Sequence, residues 1–343
     1  MTHNNRFQSL KQRKWGWHLP AIGLSCWLCA VIAVATAQSL ATGLPAPIWA
    51  RDIAAVSDQE LWVVSETGWL FHTTDGGSTW DRKRVSDKTP LRAIAFIDAR
   101  RGFVAGNYGL LLATDDGGQS WQRILTGTTE QLTDICFVGE QGWISGYWGT
   151  MLHTIDGGQT WQRQQTLISQ PLETVFFINQ KTGWAAGWMQ TILRTDDGGL
   201  TWQRQPAPEG ALTLNAIRFR DEQNGWAVGM QGLILRTTDG GWNWTRQPAP
   251  SAERLDDIAF TASGCGVIVG TGDLLLVSHD GGEHWQKAPS PLTDSLRALA
   301  VRDNQIWGAG GGSILTSADN AVNWVARPIG EKQEIVSDLR EER

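Results

Sequence analysis

The chain holds 343 residues, of which 20 are Trp and 39 Gly but only 2 Tyr, and charged residues make up just 19%. Abundant Gly and Trp with sparse charge exclude a disordered chain, a coiled coil and a helical bundle, and suit many short strands joined by tight turns. The net charge of −6 is uneven: residues 1–37 carry Arg6, Lys11, Arg13 and Lys14 and no acid, leaving 25 basic against 35 acidic residues beyond, a balance of −10 that excludes a general nucleic-acid binder.

The basic, polar residues 1–18 lead into Leu19–Ala37, which contains no charged side chain, and then into a polar, Pro-rich stretch at 38–47. A basic flank, an apolar run and the small-residue site Ala35-Thr36-Ala37 form the pattern of a secretory signal peptide. A run of this length also suffices for an uncleaved N-terminal membrane anchor, through which the protein would associate with a membrane. Both readings keep the positive flank inside and export the body. Cys26 and Cys29 lack the preceding residues of a lipoprotein signal, so no lipid anchor is expected. Cys136 and Cys265 lie three repeat units apart and read as separate buried thiols.

From residue 48 onward one unit recurs. Asp-Gly-Gly-x-(Ser/Thr)-Trp begins at Asp75, Asp116, Asp156 and Asp197, with variants at Asp239, Asp280 and Asp319, and the Trp residues closing them are 41, 40, 41, 42, 41 and 39 residues apart. A second row keeps the period: Trp62, Phe103, Trp143, Trp184, Trp226, Val267 and Trp307. A period near 40 indicates a solenoid or propeller. Each unit contains short apolar runs separated by Gly, Asn and Asp, as in Leu-Asn-Ala-Ile-Arg-Phe, Gly-Trp-Ala-Val-Gly and Leu-Ile-Leu-Arg-Thr within residues 214–237. The predicted fold is all-β, a seven-bladed β-propeller of four-stranded antiparallel blades over residues 48–329, strand a nearest the axis and strand d outermost. Residues 38–47 form a linker, and 330–343 a charged C-terminal tail. Whole blades at both ends point to ring closure through side chains instead of a shared strand.

Extended backward, the motif reads (Ser/Thr)-x-Asp-x-Gly-x-x-Trp and resembles the Asp box of bacterial-neuraminidase-repeat propellers. Its Asp is expected to accept backbone N–H groups two and three residues on, with Gly supplying the left-handed turn. Seven evenly spaced copies favour a fold-building role over a calcium or catalytic site. The last copy, Asp319-Asn-Ala-Val-Asn-Trp324, lacks both Gly and reads as a relaxed closing turn.

Sialidases share the box, and their chemistry needs a Tyr nucleophile, an acid/base Asp and three Arg on a carboxylate. Tyr108 and Tyr147 both fall in b–c turns, no Ser-His-Asp or metal-spaced His cluster is present, and His72 and His153 read as surface residues of strand c. A non-enzymatic protein without metal or cofactor is expected. The alternative is an Asp-box carbohydrate-binding protein or glycoside hydrolase.

Function should lie where the repeats differ. Strand a starts with Arg51, Arg92, Thr133, Glu173, Asn215, Asp256 and Arg297, which puts three Arg on consecutive blades 7, 1 and 2 at one mouth of the central channel. The same face should carry Tyr108, Tyr147, Trp148, Trp188 and Met189 from b–c turns, and Lys83, Arg84 and Lys88 after blade 1. Arginine bordering exposed aromatics is the composition of a protein-binding hot spot. The competing reading pairs Arg51 or Arg92 with Asp52 or a neighbouring blade. The Arg or Lys two residues after each box Trp reads as a solvated outer strand.

The whole body, with its Gly-Trp-x-x-Gly and Leu-x-Thr-x-Asp-Gly-Gly-x-Thr-Trp units, resembles the photosystem II stability/assembly factor family. The resemblance implies a scaffold in the thylakoid lumen or periplasm that binds newly made reaction-centre protein D1 through an Arg-rich patch. Arg51, Arg92 and Arg297 are the candidates here, placed by blade register. An envelope scaffold with a different membrane-protein client is the other reading.

Overall fold

The computed structural model describes residues 48–87 and 89–330; the targeting segment, the linker, Lys88 and the tail from residue 331 lie outside them. The described residues form seven sheets, each of four antiparallel strands taken in sequence order, so the seven-bladed propeller is confirmed. Blade 1 comprises Ala50–Ala55, Leu61–Ser65, Trp69–Thr73 and Asp81–Arg84, and blade 7 ends the ring with Ala298–Arg302, Gln305–Gly310, Ser313–Ser317 and Val325–Pro328. Strand b is buried at every position in blades 1, 2, 4, 5 and 6, while strand d of blade 1 is exposed throughout. Among the described residues no strand is shared across the seam. Ile53, Val63 and Trp80 of blade 1 instead pack with Trp307, Ile314 and Ile329 of blade 7.

The two sequence rows interlock. Each strand-b aromatic lies against the Asp-box turn of the next blade: the Nε1–H of Trp143, Trp184 and Trp226 donates to the carbonyls of Gly198, Gly240 and Gly282 at 2.9, 3.0 and 3.2 Å. In blades 2, 3, 5 and 6 the second Gly of the box faces that ring so closely that a Cβ on Gly118 or Gly282 would stand 2.3 or 2.5 Å from Trp62 or Trp226. Both also take positive φ, 82° and 89°, so Gly is required twice over at this position.

Two departures from the pattern compensate each other. Blade 7 carries Ala321 where the others carry the second Gly, and the facing row position in blade 6 is Val267, not an aromatic; the two are buried in one cluster. The turn is not relaxed, as the loss of Gly suggested. Asn320 and Ala321 adopt φ of 58° and 64°, and Asp319 still accepts from the Ser317 hydroxyl and the Asn323 N–H, both at 2.9 Å.

The box hydrogen bonds differ from expectation in register. Asp75 Oδ1 accepts from the N–H of Thr79, four residues on, at 2.8 Å and from the Thr73 hydroxyl at 2.7 Å, while Oδ2 accepts from the Thr79 hydroxyl at 2.7 Å. The Thr73 hydroxyl in turn accepts from the Gly77 N–H at 3.1 Å. The carboxylate therefore spans the whole turn. His72 and His153 are not surface residues either: they are half-buried and stack on Trp62 and Trp143 with centroids 3.9 and 5.1 Å apart. Among the described residues Cys136 and Cys265 form no disulfide, and Cys136 is partly instead of fully covered.

Candidate functional site: the channel mouth

The variable position at the start of strand a is the extra residue of a β-bulge. In blade 1 Ala50 pairs with Ser65 and Asp52 with Val64, which leaves Arg51 unpaired between them. The same shift frees Arg92, Thr133, Glu173, Asn215 and Asp256 in blades 2 to 6. A bulge breaks the in-out alternation of a strand and re-aims one side chain. Here it turns six successive side chains toward the channel mouth, and Arg297 completes the set just ahead of the last strand a. All seven line one cavity of about 320 Å³.

The mouth is polar and internally matched. Arg51 and Arg92 share Glu66, from the b–c turn of blade 1, at 3.8 and 3.7 Å. Asp52, offered by the sequence as their partner, is engaged elsewhere. Arg92 also donates through Nε to Asn107 at 3.0 Å. Asp256 pairs with Arg254 at 2.6 Å and with Arg297 at 3.8 Å. Burial pushes the Asp256 carboxyl up to about 6 in spite of Arg254. Burial, and then the charge of Arg51, lowers the pKa of the Arg92 guanidinium. The long contacts to Glu66 leave guanidinium N–H groups of Arg51 and Arg92 facing the cavity with donor capacity in reserve.

Of the predicted aromatics, Tyr147 and Trp188 line the mouth, edge to face with centroids 5.9 Å apart. Trp188 Nε1–H donates to Glu173 at 2.7 Å, which fixes that carboxylate against the ring. Burial, followed by the charge of Glu173, raises the Tyr147 hydroxyl pKa. Tyr108 and Trp148 do not join them. They hold the next position of the b–c turn, at φ of 57° and 55°, and are exposed. Arg84 is also elsewhere, on the outermost strand of blade 1, where it pairs with Asp87 at 3.2 Å and lies over Trp69. Lys83 reaches the carbonyl of Gln119 in blade 2.

Below the mouth, Asp52, Asp134 and Asp257 follow the bulge in blades 1, 3 and 6. Each accepts one N–H of its own strand and one from strand a of the next blade: Ile94 at 2.8 Å, Val175 at 3.0 Å and Leu299 at 2.8 Å respectively. Arg218 of blade 5 approaches Asp257 at 3.8 Å. Sequence reading passed over Glu66, Met230, Arg218 and Arg254. Aligning the residue after strand b, as was done for strand a, gives Glu66, Asn107, Tyr147, Trp188 and Met230 as one column and would have found three of the mouth's walls. Among the described residues no group of acidic, His and Cys side chains is suited to hold a metal.

The family model described as photosynthesis system II assembly factor YCF48 matches residues 91–171, 164–252 and 248–333. A solved structure of YCF48 bound to a D1 peptide is 26% identical, covering 69% of this chain and 80% of that one, with a TM-score of 0.57. YCF48 from Cyanidioschyzon merolae is 20% identical over 70% of this chain and 85% of its own, TM-score 0.57. An ancestral GH74 enzyme shares the fold at 14% identity, covering 82% of this chain and 46% of that chain, with a TM-score of 0.68. No curated protein matches in sequence.

Proposed function

The chain belongs to the YCF48 photosystem II assembly factor family, and on that premise we propose that it is a non-enzymatic scaffold whose channel mouth binds a protein client resembling D1. The observation that carries this reading is the convergence of Arg51, Arg92 and Arg297 with Tyr147 and Trp188 on one cavity. Half-buried guanidiniums beside aromatic walls are the anchors from which protein-binding sites are built. Fixed carboxylates at Glu173 and Asp256 set the register of an approaching chain by attracting its basic groups and repelling its acids. The scaffold acts on the exported side of the membrane, in the thylakoid lumen or periplasm, as the basic flank and uncharged run of residues 1–37 support. Fractionation with protease protection of the intact chain in its own cells checks that side; a cytoplasmic propeller would overturn it.

The site is tested by titrating a D1 peptide onto the full chain and onto the combined variant Arg51→Ala, Arg92→Ala, Arg297→Ala. Affinity should fall by at least about tenfold, since hot-spot arginines each contribute of that order. The melting temperature should hardly move, because Glu66 is left hydrated and Asp256 keeps Arg254. Unchanged affinity would reject the mouth as the site. Turnover of sialosides or glucans by the purified chain, lost on Tyr147→Phe, would reject the non-enzymatic reading.

A further inference from the structure

A set of apolar side chains on the channel face stands outside the mouth. Tyr108, Leu125, Trp148, Leu167 and Met189 are 69, 86, 64, 86 and 54% exposed. They come from the b–c turns of blades 2 to 4 and the d–a loops that follow blades 2 and 3, so they form one crescent on adjacent blades. Thr126 donates to the Gly109 carbonyl at 3.0 Å and Thr166 to that of Gly149 at 2.7 Å, which ties each loop onto the b–c turn that carries Tyr108 or Trp148.

Two properties distinguish this crescent from scattered surface apolars. Tyr108, Trp148 and Met189 in the b–c turns and Leu167 in its d–a loop hold φ between 55° and 58°, a left-handed conformation that bulky residues adopt at a cost; the matching turn residue is Gln231 in blade 5, at 56°, and Gly272 in blade 6. Charge is also missing: residues 106–110, 146–150, 164–171 and 187–191 contain none, and 124–131 contain only Glu130. Exposed Arg123 and Arg163 stand on the outermost strands that lead into these loops. On the opposite face Ile155, Leu200, Trp242 and Val322 each sit singly in a turn that holds an Asp-box carboxylate.

The chain enters the ring on the crescent's side. Trp49 accepts the N–H of Glu66 at 3.0 Å, and Ile48 lies beside Gly312, both in b–c turns. The ten residues 38–47 reach at most about 35 Å, and they follow Leu19–Ala37, an uncharged run close to the roughly 20 residues that cross a bilayer. We propose that the crescent rests in the interfacial layer of a lipid bilayer, its Trp, Tyr, Leu and Met side chains among headgroups and upper acyl chains. The arginines of the outer strands lie at phosphate level. Contact through three neighbouring blades seats the ring tilted, with the channel mouth at the membrane surface. This goes beyond client binding and does not depend on it.

The test uses the full chain with Cys26 and Cys29 changed to Ser, reconstituted in vesicles of phosphatidylcholine and phosphatidylglycerol. Leu167→Cys carries an environment-sensitive fluorophore, Gln159→Cys on the opposite face of the same blade is the control, and Leu125→Cys repeats the measurement should the first variant fold poorly. Emission at 167 or 125 should shift to the blue and be quenched several-fold more than at 159 by nitroxides placed near the lipid headgroup. Adding Trp148→Ser and Tyr108→Ser should reduce that quenching to the control level. Equal quenching on both faces, or none at 167 and 125, would overturn the proposal. So would a shift that appears only when a D1 peptide is added and that lipid nitroxides do not quench, which would assign the crescent to a protein partner.

Discussion

On the face formed by the c–d turns, seven carboxylates from Asp75 to Asp319 sit in one place with equivalent partners, whereas on the opposite face the bulged position carries Arg, Arg, Thr, Glu, Asn and Asp in turn. The first set bonds within its own turn and supports the ring seven times over. The second faces a shared cavity, and no two adjacent pairs of blades present the same contact there. Repetition is what a closed ring needs from every blade; recognition needs the blades to differ. Changes on the Asp-box side should therefore move stability and leave binding intact, and changes at the mouth should do the reverse.

The largest expected effect tests the interlock of the two rows. Trp226→Val empties a fully buried site and should cost about 3–5 kcal/mol in chemical denaturation. Gly282→Ala, whose Cβ would meet that ring at positive φ, should cost roughly 2–4 kcal/mol. The double variant reproduces the Val267 and Ala321 arrangement and should lose clearly less than the two costs added. Strict additivity would break the claim that the rows are coupled.

A smaller effect is expected from pH. Asp75 and Asp116 are held at about 2, chiefly by the hydroxyl and N–H of the residue four positions on. A carboxyl held below its ordinary 3.8 supports the ring above that pH and ceases to do so as pH falls through about 2. Asp52 acts in the opposite sense. Burial, and then the charge of Asp134, pushes it up to about 8, so its contribution is complete below 3.8 and is lost as pH rises through 8. Melting temperature should peak near pH 4, with an alkaline decline worth at most a few kcal/mol. That decline should shrink in Asp52→Asn to the part that Asp256, also pushed up by burial to about 6, contributes, whatever the variant's own stability; an unaltered alkaline arm would remove Asp52 from the explanation.

Smaller still, Asp75→Ala should cost about 1 kcal/mol, because its partners are partly hydrated once released, and should leave D1-peptide affinity unchanged. Glu66→Gln should leave the melt unchanged and raise affinity for an acidic peptide several-fold, because it removes the one carboxylate that Arg51 and Arg92 share. A drop in affinity would show that Glu66 contacts the client itself.

The frame was legible because it is written seven times: strand number, blade order and the burial of most of both aromatic rows follow from the period, whereas how the ring closes does not, since a repeat length leaves the strand phase open. The mouth was legible as an aligned column but not as a bulge, since a residue added to one strand leaves no mark on composition or spacing. Tyr147 and Trp148 show the limit most clearly. They are neighbours, both aromatic, in the same turn, yet Tyr147 lines the cavity while Trp148, at a φ of 55°, is exposed to solvent. Pairing was likewise hidden: Asp52 stands next to Arg51 in sequence, but its oxygens are taken by the N–H groups of Ile53 and Ile94.

The seam between blades 7 and 1 matters beyond stability. Every sheet is built from four consecutive strands, so no blade depends on a strand from the far end of the chain. The ring therefore has no privileged starting point, and a chain cut in any d–a loop and rejoined across the natural seam encodes the same seven blades. A circular permutant opened before Leu91 or before Leu172 should fold and melt much as the parent does. By the same logic whole blades are units that duplication can add or remove, and a lineage can re-order the residues around its channel mouth without redesigning the ring that holds them.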